Sequence, residues 1–125
     1  MKVVRLADAF EYPVTGHFDM RALRLHNKET SNTVDYTLGL SHFLPGGGTE
    51  YVETGVELIY FILEGEMTVR TKDETIVLKK YDSIHFNVGD GKEIRNETNL
   101  PASMLVIAGM PGRGCCLLYT SDAAD

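Results

Sequence analysis

No cysteine precedes position 115, and the two that occur, Cys115 and Cys116, are adjacent. Neighbouring residues do not close an ordinary mutual bridge and neither has a partner elsewhere, so the chain has no disulfide framework. Long apolar runs are missing too: nothing approaches the roughly 18 residues of a membrane span. The opening MKVVRLADAF carries a charge or two but no long apolar core and no small-residue cleavage site, so it does not read as a secretion signal. The expected location is the cytoplasm, with no membrane as partner. Positive charge is also short. Lys and Arg number 12 against 18 Asp and Glu, a net charge of −6, and the cations are scattered, so nucleic acid is not an expected partner. Helical periodicity is the last absence, since no window repeats apolar residues at i, i+3, i+4 and i+7.

What is present fits one soluble domain. A chain of 125 residues, 43% apolar and 24% charged, is long enough to bury about two thirds of its unfolded surface and needs no staples. The last ten residues, CLLYTSDAAD, resemble the reading-frame translation of a transposase adapter used in sequencing libraries. Residues 115–125 are therefore set aside as a non-native tail, the alternative being a frayed natural end. On the adapter reading the natural sequence would continue past Gly114. Loss of Asp122 and Asp125 takes the net charge from −6 to −4, so the acidic character does not depend on the tail.

Gly and Pro punctuate the chain densely, and period-two runs fill the gaps. VDYTLGLSHFL sets Val34, Tyr36, Leu38, Leu40, His42 and Leu44 on one face, expected to be the buried one, against Asp35, Thr37, Gly39, Ser41 and Phe43. Further strands follow with turns at Glu64-Gly65-Glu66, Lys72-Asp73-Glu74 and Lys80-Tyr81-Asp82, and ASMLVIAGM after Pro101 closes the series. Short strands spaced about 8 to 12 residues apart predict an all-β sandwich or barrel, closure being the commonest way to hide so many edges. Residues 1–32 are less patterned and read as an irregular arm or edge strand, packing on the barrel or on a second subunit. The barrel itself is expected over 33–114. No internal repeat, linker or low-complexity segment interrupts it.

The punctuation resembles that of the cupin family of small jelly-roll β-barrels over roughly residues 33–109. The family's first motif, G-x5-H-x-H-x3-4-E-x6-G, is matched at its ends by Gly46 and Gly65 with the register between them unbroken. The second, G-x5-P-x-G-x2-H-x3-N, is matched by Gly89 and Asn96, with Tyr81 and Asn87 in place of its first Gly and its Pro. The resemblance implies an antiparallel jelly-roll and a homodimer. It also implies four metal-ligating positions inside the barrel, which here hold Val52, Thr54, Leu58 and Lys92. Val and Leu carry no donor atom, Thr is a weak one, and a protonated Lys repels a cation. The expectation is therefore a degenerate metal site and no metal cofactor. Tyr51, Glu53 and Glu57 repeat the ligand spacing one residue earlier with oxygen donors. A one-residue shift turns side chains to the opposite face unless a bulge intervenes.

The candidate ligand-binding residues are Glu50, Tyr60, Lys92, His42 and His85, and no catalytic residue is identifiable. Glu50 has the parity of the missing ligands and could be a general base or face a cationic group, or lie solvated on a loop. Lys92 would be a base or, with Glu50, an anion clamp if buried, and would otherwise snorkel to the mouth. His42 shares an apolar face, as a core histidine or a catalyst. His85 lines the cavity or faces the other sheet; His17 belongs to the arm, and His26 reads as exposed. Tyr60 should offer a hydroxyl over an apolar floor. Asn96 matches a position that serves structure. The expected function is a barrel binding a small organic molecule in its interior without a metal. The alternative is an enzyme, either a metal-independent acid-base isomerase or lyase, or a metal-dependent oxygenase or isomerase with unusual oxygen or imidazole ligands.

Overall fold

The computed structural model describes residues 1–110, so the tail at 115–125 lies outside the described residues. A 3-10 turn at Leu6–Asp8 leads to β1, Phe10–Glu11, and β2, His17–His26. After the one-turn α1, Lys28–Ser31, capped by the Asn27 side chain, comes β3, Tyr36–Thr49. The remaining strands are β4 (Val52–Glu53), β5 (Leu58–Glu64), β6 (Met67–Arg70), β7 (Thr75–Leu78), β8 (Ser83–Phe86), β9 (Gly91–Arg95) and β10 (Ala102–Gly109). They pair antiparallel in the order β7-β6-β9-β3-β10-β5-β8, with β2 added to β3, β1 to β2 and β4 to β9. The sheet curls into a nearly closed jelly-roll barrel, the fold class expected. Its two path ends, β7 and β8, are joined by the turn at Lys79–Asp82 but do not pair, leaving a seam.

β3 makes the curl possible. On one side β2 follows it to Gly48 and Thr49; on the other β10 pairs with its first half, and Gly48 pairs with Arg95 of β9 across the barrel corner. At that corner a Cβ on Gly47 would strike the Asp19 carbonyl oxygen, and one on Gly48 the Ile94 carbonyl oxygen. Only a residue without a side chain lets the backbones approach so closely. Gly48→Ala is expected to cost about 1–3 kcal/mol through overpacking, lowering the melting temperature by roughly 4–8 °C per kcal/mol. A far-UV CD melt coinciding with that of the parent would show that the corner yields without cost.

The core is filled from alternate positions: Leu58, Tyr60 and Ile62 of β5, Met104 and Val106 of β10, with Met67, Val69, Phe86 and Ile94 from the other strands. The parity expected for β3 is reversed. Ser41 and Phe43 are buried, while Tyr36 and Leu44 are exposed. The cause is volume. Ser41 is the register partner of Met104 and Gly39 that of Val106, so small residues on β3 accommodate large ones on β10. The more apolar face of β3 turns outward, and His42 goes with it.

The turn at Glu64-Gly65-Glu66 joins β5 and β6 without pairing them, because β5 pairs with β10 and β8 but β6 with β9 and β7. Within residues 1–32, expected as an irregular arm or edge strand, His17–His26 forms a ten-residue strand in register with β3. No helix of the described residues is long and apolar enough to cross a membrane.

Candidate functional site

The four substituted metal positions do not form a ligand set. Thr54 is buried and its hydroxyl donates to the Val56 carbonyl at 2.6 Å while accepting the Val56 N–H at 3.3 Å, so both hydroxyl functions are used locally. Leu58 is fully buried and apolar. Val52 is the register partner of Lys92 but stands 44% exposed at the rim. Lys92 is 1% exposed, and its Nζ lies 5.6 Å from the Tyr60 ring centroid and 5.7 Å from that of Phe86. The ammonium is thus seated against two aromatic faces, a favourable place for a cation. Of the four positions, Val52 and Leu58 carry no donor atom, the Thr54 hydroxyl is engaged with Val56 and a protonated Lys92 would repel a cation, so these residues do not fit the metal that the resemblance implies.

The oxygen alternative does not assemble either. Glu57 points outward and its Oε2 lies 2.5 Å from His85 Nε2. The Tyr51 ring lies over Gly91, where any side chain would collide with it, and Glu53 is the register partner of that glycine. Among the described residues no group of three or more His, Cys, Asp or Glu side chains gathers as a metal would require.

The open space lies at the seam. A groove of about 580 Å³ runs between β7 and β8, with Val69, Ile84 and Phe86 on its floor. Its rim carries four carboxylates: Glu53 and Asp90 from the β4–β9 side, and Asp73 and Glu74 from the β6–β7 turn. Tyr51, His85 and Lys72 complete the rim. Turn chemistry shapes both ends. The Asp90 carboxylate accepts the Asn87 N–H at 2.8 Å, and the Thr71 hydroxyl accepts the Asp73 and Glu74 N–H groups at 3.3 and 3.2 Å. Phe86 separates the groove from the interior, meeting Tyr60 edge-on at 5.4 Å with Lys92 behind.

The candidate residues are therefore dispersed. His85 reaches the groove rim and Tyr60 and Lys92 lie behind its floor. His42 is on the outer face of β3 with Nδ1 2.9 Å from Ser103 Oγ. Glu50 is exposed beside Gly16, whose carbonyl accepts the Glu50 N–H at 2.8 Å. That places it near a second hollow of about 400 Å³ lined by Tyr12, His17 and Met20. Sequence reasoning passed over Asp73, Glu74, Phe86 and Asp90. The signal available was the pairing of acidic turn residues at three strand ends, 53, 73–74 and 90, which a seam between those ends would collect. Away from the groove, the Arg70 guanidinium donates to Glu97 at 2.8 Å; that hydrogen bond holds the carboxyl below its usual range and raises Arg70 further.

Comparison with known proteins agrees with this architecture. The model of the cupin domain family matches residues 39–108. A Mycobacterium tuberculosis protein named beta-D-galactosidase is 33% identical over 111 residues, covering 89% of this chain and 96% of that one. Among solved structures, the polyketide cyclase RemF of Streptomyces resistomycificus superposes with a TM-score of 0.79 at 18% identity, covering 99% of this chain and 90% of its own. A cupin sugar phosphate isomerase of Silicibacter pomeroyi gives 0.72 at 18% identity, over 86% and 74% of the two chains. At such identities the structural likeness speaks for the fold alone. With the family model spanning more than half the chain and both motif frames kept at Gly46, Gly65, Gly89 and Asn96, the chain belongs to the cupin family.

Proposed function

We propose that the chain binds a small, neutral, polyhydroxylated molecule in the seam groove, a β-galactoside being the first to test, without a metal at the substituted positions. The carrying observation is the groove itself: four carboxylates and a phenol above an apolar floor that includes Phe86. Carboxylate oxygens accept hydrogen bonds from sugar hydroxyls, and an aromatic floor suits the C–H face of a pyranose. The volume of about 580 Å³ falls in the range of small-ligand pockets. An anionic ligand would be repelled by the rim, where Lys72 is the one cation. The name of the M. tuberculosis relative supports galactose as the sugar. Titration with methyl β-galactoside, followed by NMR, is expected to shift the amides of Tyr51, Gly91 and Asp73, and Asp90→Asn to weaken binding by about ten-fold. Saturable shifts confined to the hollow at Tyr12 and His17, or none with any neutral sugar, would overturn the reading.

A second reading, hydrolysis of the galactoside, is favoured by carboxylates at both ends of the groove. Glycoside hydrolysis needs one carboxyl group to protonate the leaving oxygen and another to take a proton from the attacking water or to attack the anomeric carbon itself. On this reading Glu53→Gln lowers turnover of p-nitrophenyl β-galactoside by about 10²–10⁴-fold with little change in sugar binding. Turnover unaffected by Glu53→Gln would remove Glu53 from the chemistry.

A further inference from the structure

The seam is bounded by two strand edges. β8 pairs on one side only, with β5, and β7 on one side only, with β6. In an antiparallel ladder alternate residues turn their N–H and carbonyl away from the neighbouring strand. Ile62 exchanges bonds with Tyr81 and Asp82, and the Thr71 N–H donates to the Glu74 carbonyl, which sets the phase of each ladder. Counted on by twos, that phase turns the main-chain groups of Ser83 and His85 in β8, and of Thr75 and Val77 in β7, toward the seam. Among the described residues no other backbone takes them up. An unpaired edge is a template for a further strand, and natural edges are guarded by proline or charge. Neither Thr75–Leu78 nor Ser83–Phe86 contains a proline, a lysine or a carboxylate. Of the two, β8 gives Ile84, His85 and Phe86 to the groove wall and β7 gives Ile76 alone, so the accessible edge is that of β8.

The surroundings of that edge indicate what would pair with it. The turn at Lys79–Asp82 closes one end of the seam. At the open end Asp73 and Glu74 stand on the β7 side and Glu53 and Asp90 on the side of β4 and β9, and Lys72 is the only Lys or Arg among the described lining residues. Beneath lie Val69, Ile84 and Phe86. A strand laid along β8 points successive side chains alternately at this floor and at solvent. The matching sequence therefore alternates apolar residues with lysine or arginine, the first to fill the floor and the second to answer the carboxylates. We infer that the β8 edge takes up, by strand addition, an extended basic segment of a partner protein. This inference rests on the strand order and the rim charge, not on sugar binding, and a segment seated there would cover the groove.

The test is titration of the full chain, free of sugar, with an end-blocked hexapeptide alternating lysine and valine, followed by amide NMR. Saturable shifts at Ser83 and His85 are expected, and a peptide alternating glutamate and valine should bind at least about ten-fold more weakly. N-methylation separates strand pairing from charge attraction. In an antiparallel register with β8 the lysine amides face the strand, so N-methyl groups on the lysines should weaken binding at least about ten-fold and N-methyl groups on the valines less than about two-fold. In the protein, His85→Pro removes a seam-facing donor and keeps the ladder with β5, a substitution that edge strands tolerate. It should weaken binding as the lysine methyl groups do, whereas His85→Ala, which keeps the N–H, should not. No saturable binding, equal affinity for the acidic peptide, or indifference to which amides are methylated overturns the inference. Failure of methyl β-galactoside to bind does not, because the peptide is titrated without it; peptide failure beside a saturable sugar shift overturns strand addition and leaves sugar binding intact.

Discussion

Asn96→Ala is expected to destabilise the barrel by about 3–5 kcal/mol and to lower its melting temperature by more than roughly 10 °C. The side chain is fully buried and every polar function on it is engaged. Its Nδ2 donates to the Leu100 carbonyl at 2.7 Å and to the Phe43 carbonyl at 3.3 Å. Its Oδ1 accepts the Thr98 N–H at 3.0 Å and the Thr98 hydroxyl at 2.8 Å. Its own N–H and carbonyl close a pair of 2.8 Å bonds with Gly47 and Gly46. One residue thus ties the β3 corner, the end of β9 and the turn into β10. Alanine removes four hydrogen bonds: the Leu100 carbonyl and the Thr98 hydroxyl keep each other at 3.0 Å, whereas the Phe43 carbonyl and the Thr98 N–H lose their side-chain partner. Asn96→Asp separates the contributions: the acceptors stay, both donors go, and a carboxylate is aimed at two carbonyl oxygens. That carboxyl is held in its neutral form, its folded pKa raised above the unfolded value. The variant should therefore regain stability as pH falls through the folded pKa and lose it again as pH rises, the reverse of a salt-bridged aspartate. An alanine variant melting within about 3 °C of the parent would show that water replaces the network.

This knot also shows what the sequence disclosed and what it withheld. Strand positions, the turns at 72–74 and 80–82 and the all-β class were legible, because period-two patterning and glycine punctuation are local properties of the chain, and the jelly-roll class followed from the resemblance carried by Gly46, Gly65, Gly89 and Asn96. The inward face of β5 was legible as well: Leu58, Tyr60 and Ile62 are large, apolar and flanked by polar or less buried neighbours. β3 was not, since its inward face is mostly small or polar and the choice depended on Met104 and Val106, some sixty residues away in sequence. An apolar face turned outward looks, in sequence, like a face that meets the core. His42 was misplaced by that ambiguity. The groove was illegible for a related reason. It exists because β7 and β8 fail to pair, a property of the whole strand order, and no local pattern marks an unpaired seam. Its acidic rim was visible only as ordinary turn residues.

Lys92→Glu is expected to abolish folding or to cost at least about 4 kcal/mol, whereas Lys92→Met should change stability by no more than about 1 kcal/mol. Two of the terms acting at this position oppose each other. Burying the ammonium to 1% exposure removes its hydration, a penalty of several kcal/mol. The negative faces of Tyr60 and Phe86, with ring centres 5.6 and 5.7 Å away, return roughly 2 kcal/mol or more in such a desolvated place. Methionine keeps the length and the contact with both rings while removing these two opposing terms together, and the net change expected is small. Glutamate keeps the penalty and turns the ring attraction into repulsion. The same substitutions bear on the groove, because Phe86 lies between it and Lys92. If Lys92 only fills the barrel interior, Lys92→Met binds methyl β-galactoside like the parent. Loss of sugar binding in a Lys92→Met protein that melts normally would place the ammonium in the site and make the groove an antechamber to the barrel. A Lys92→Met protein less stable than Leu58→Ala, for which burial sets a cost of about 2–5 kcal/mol, would show instead that the cation holds the interior together.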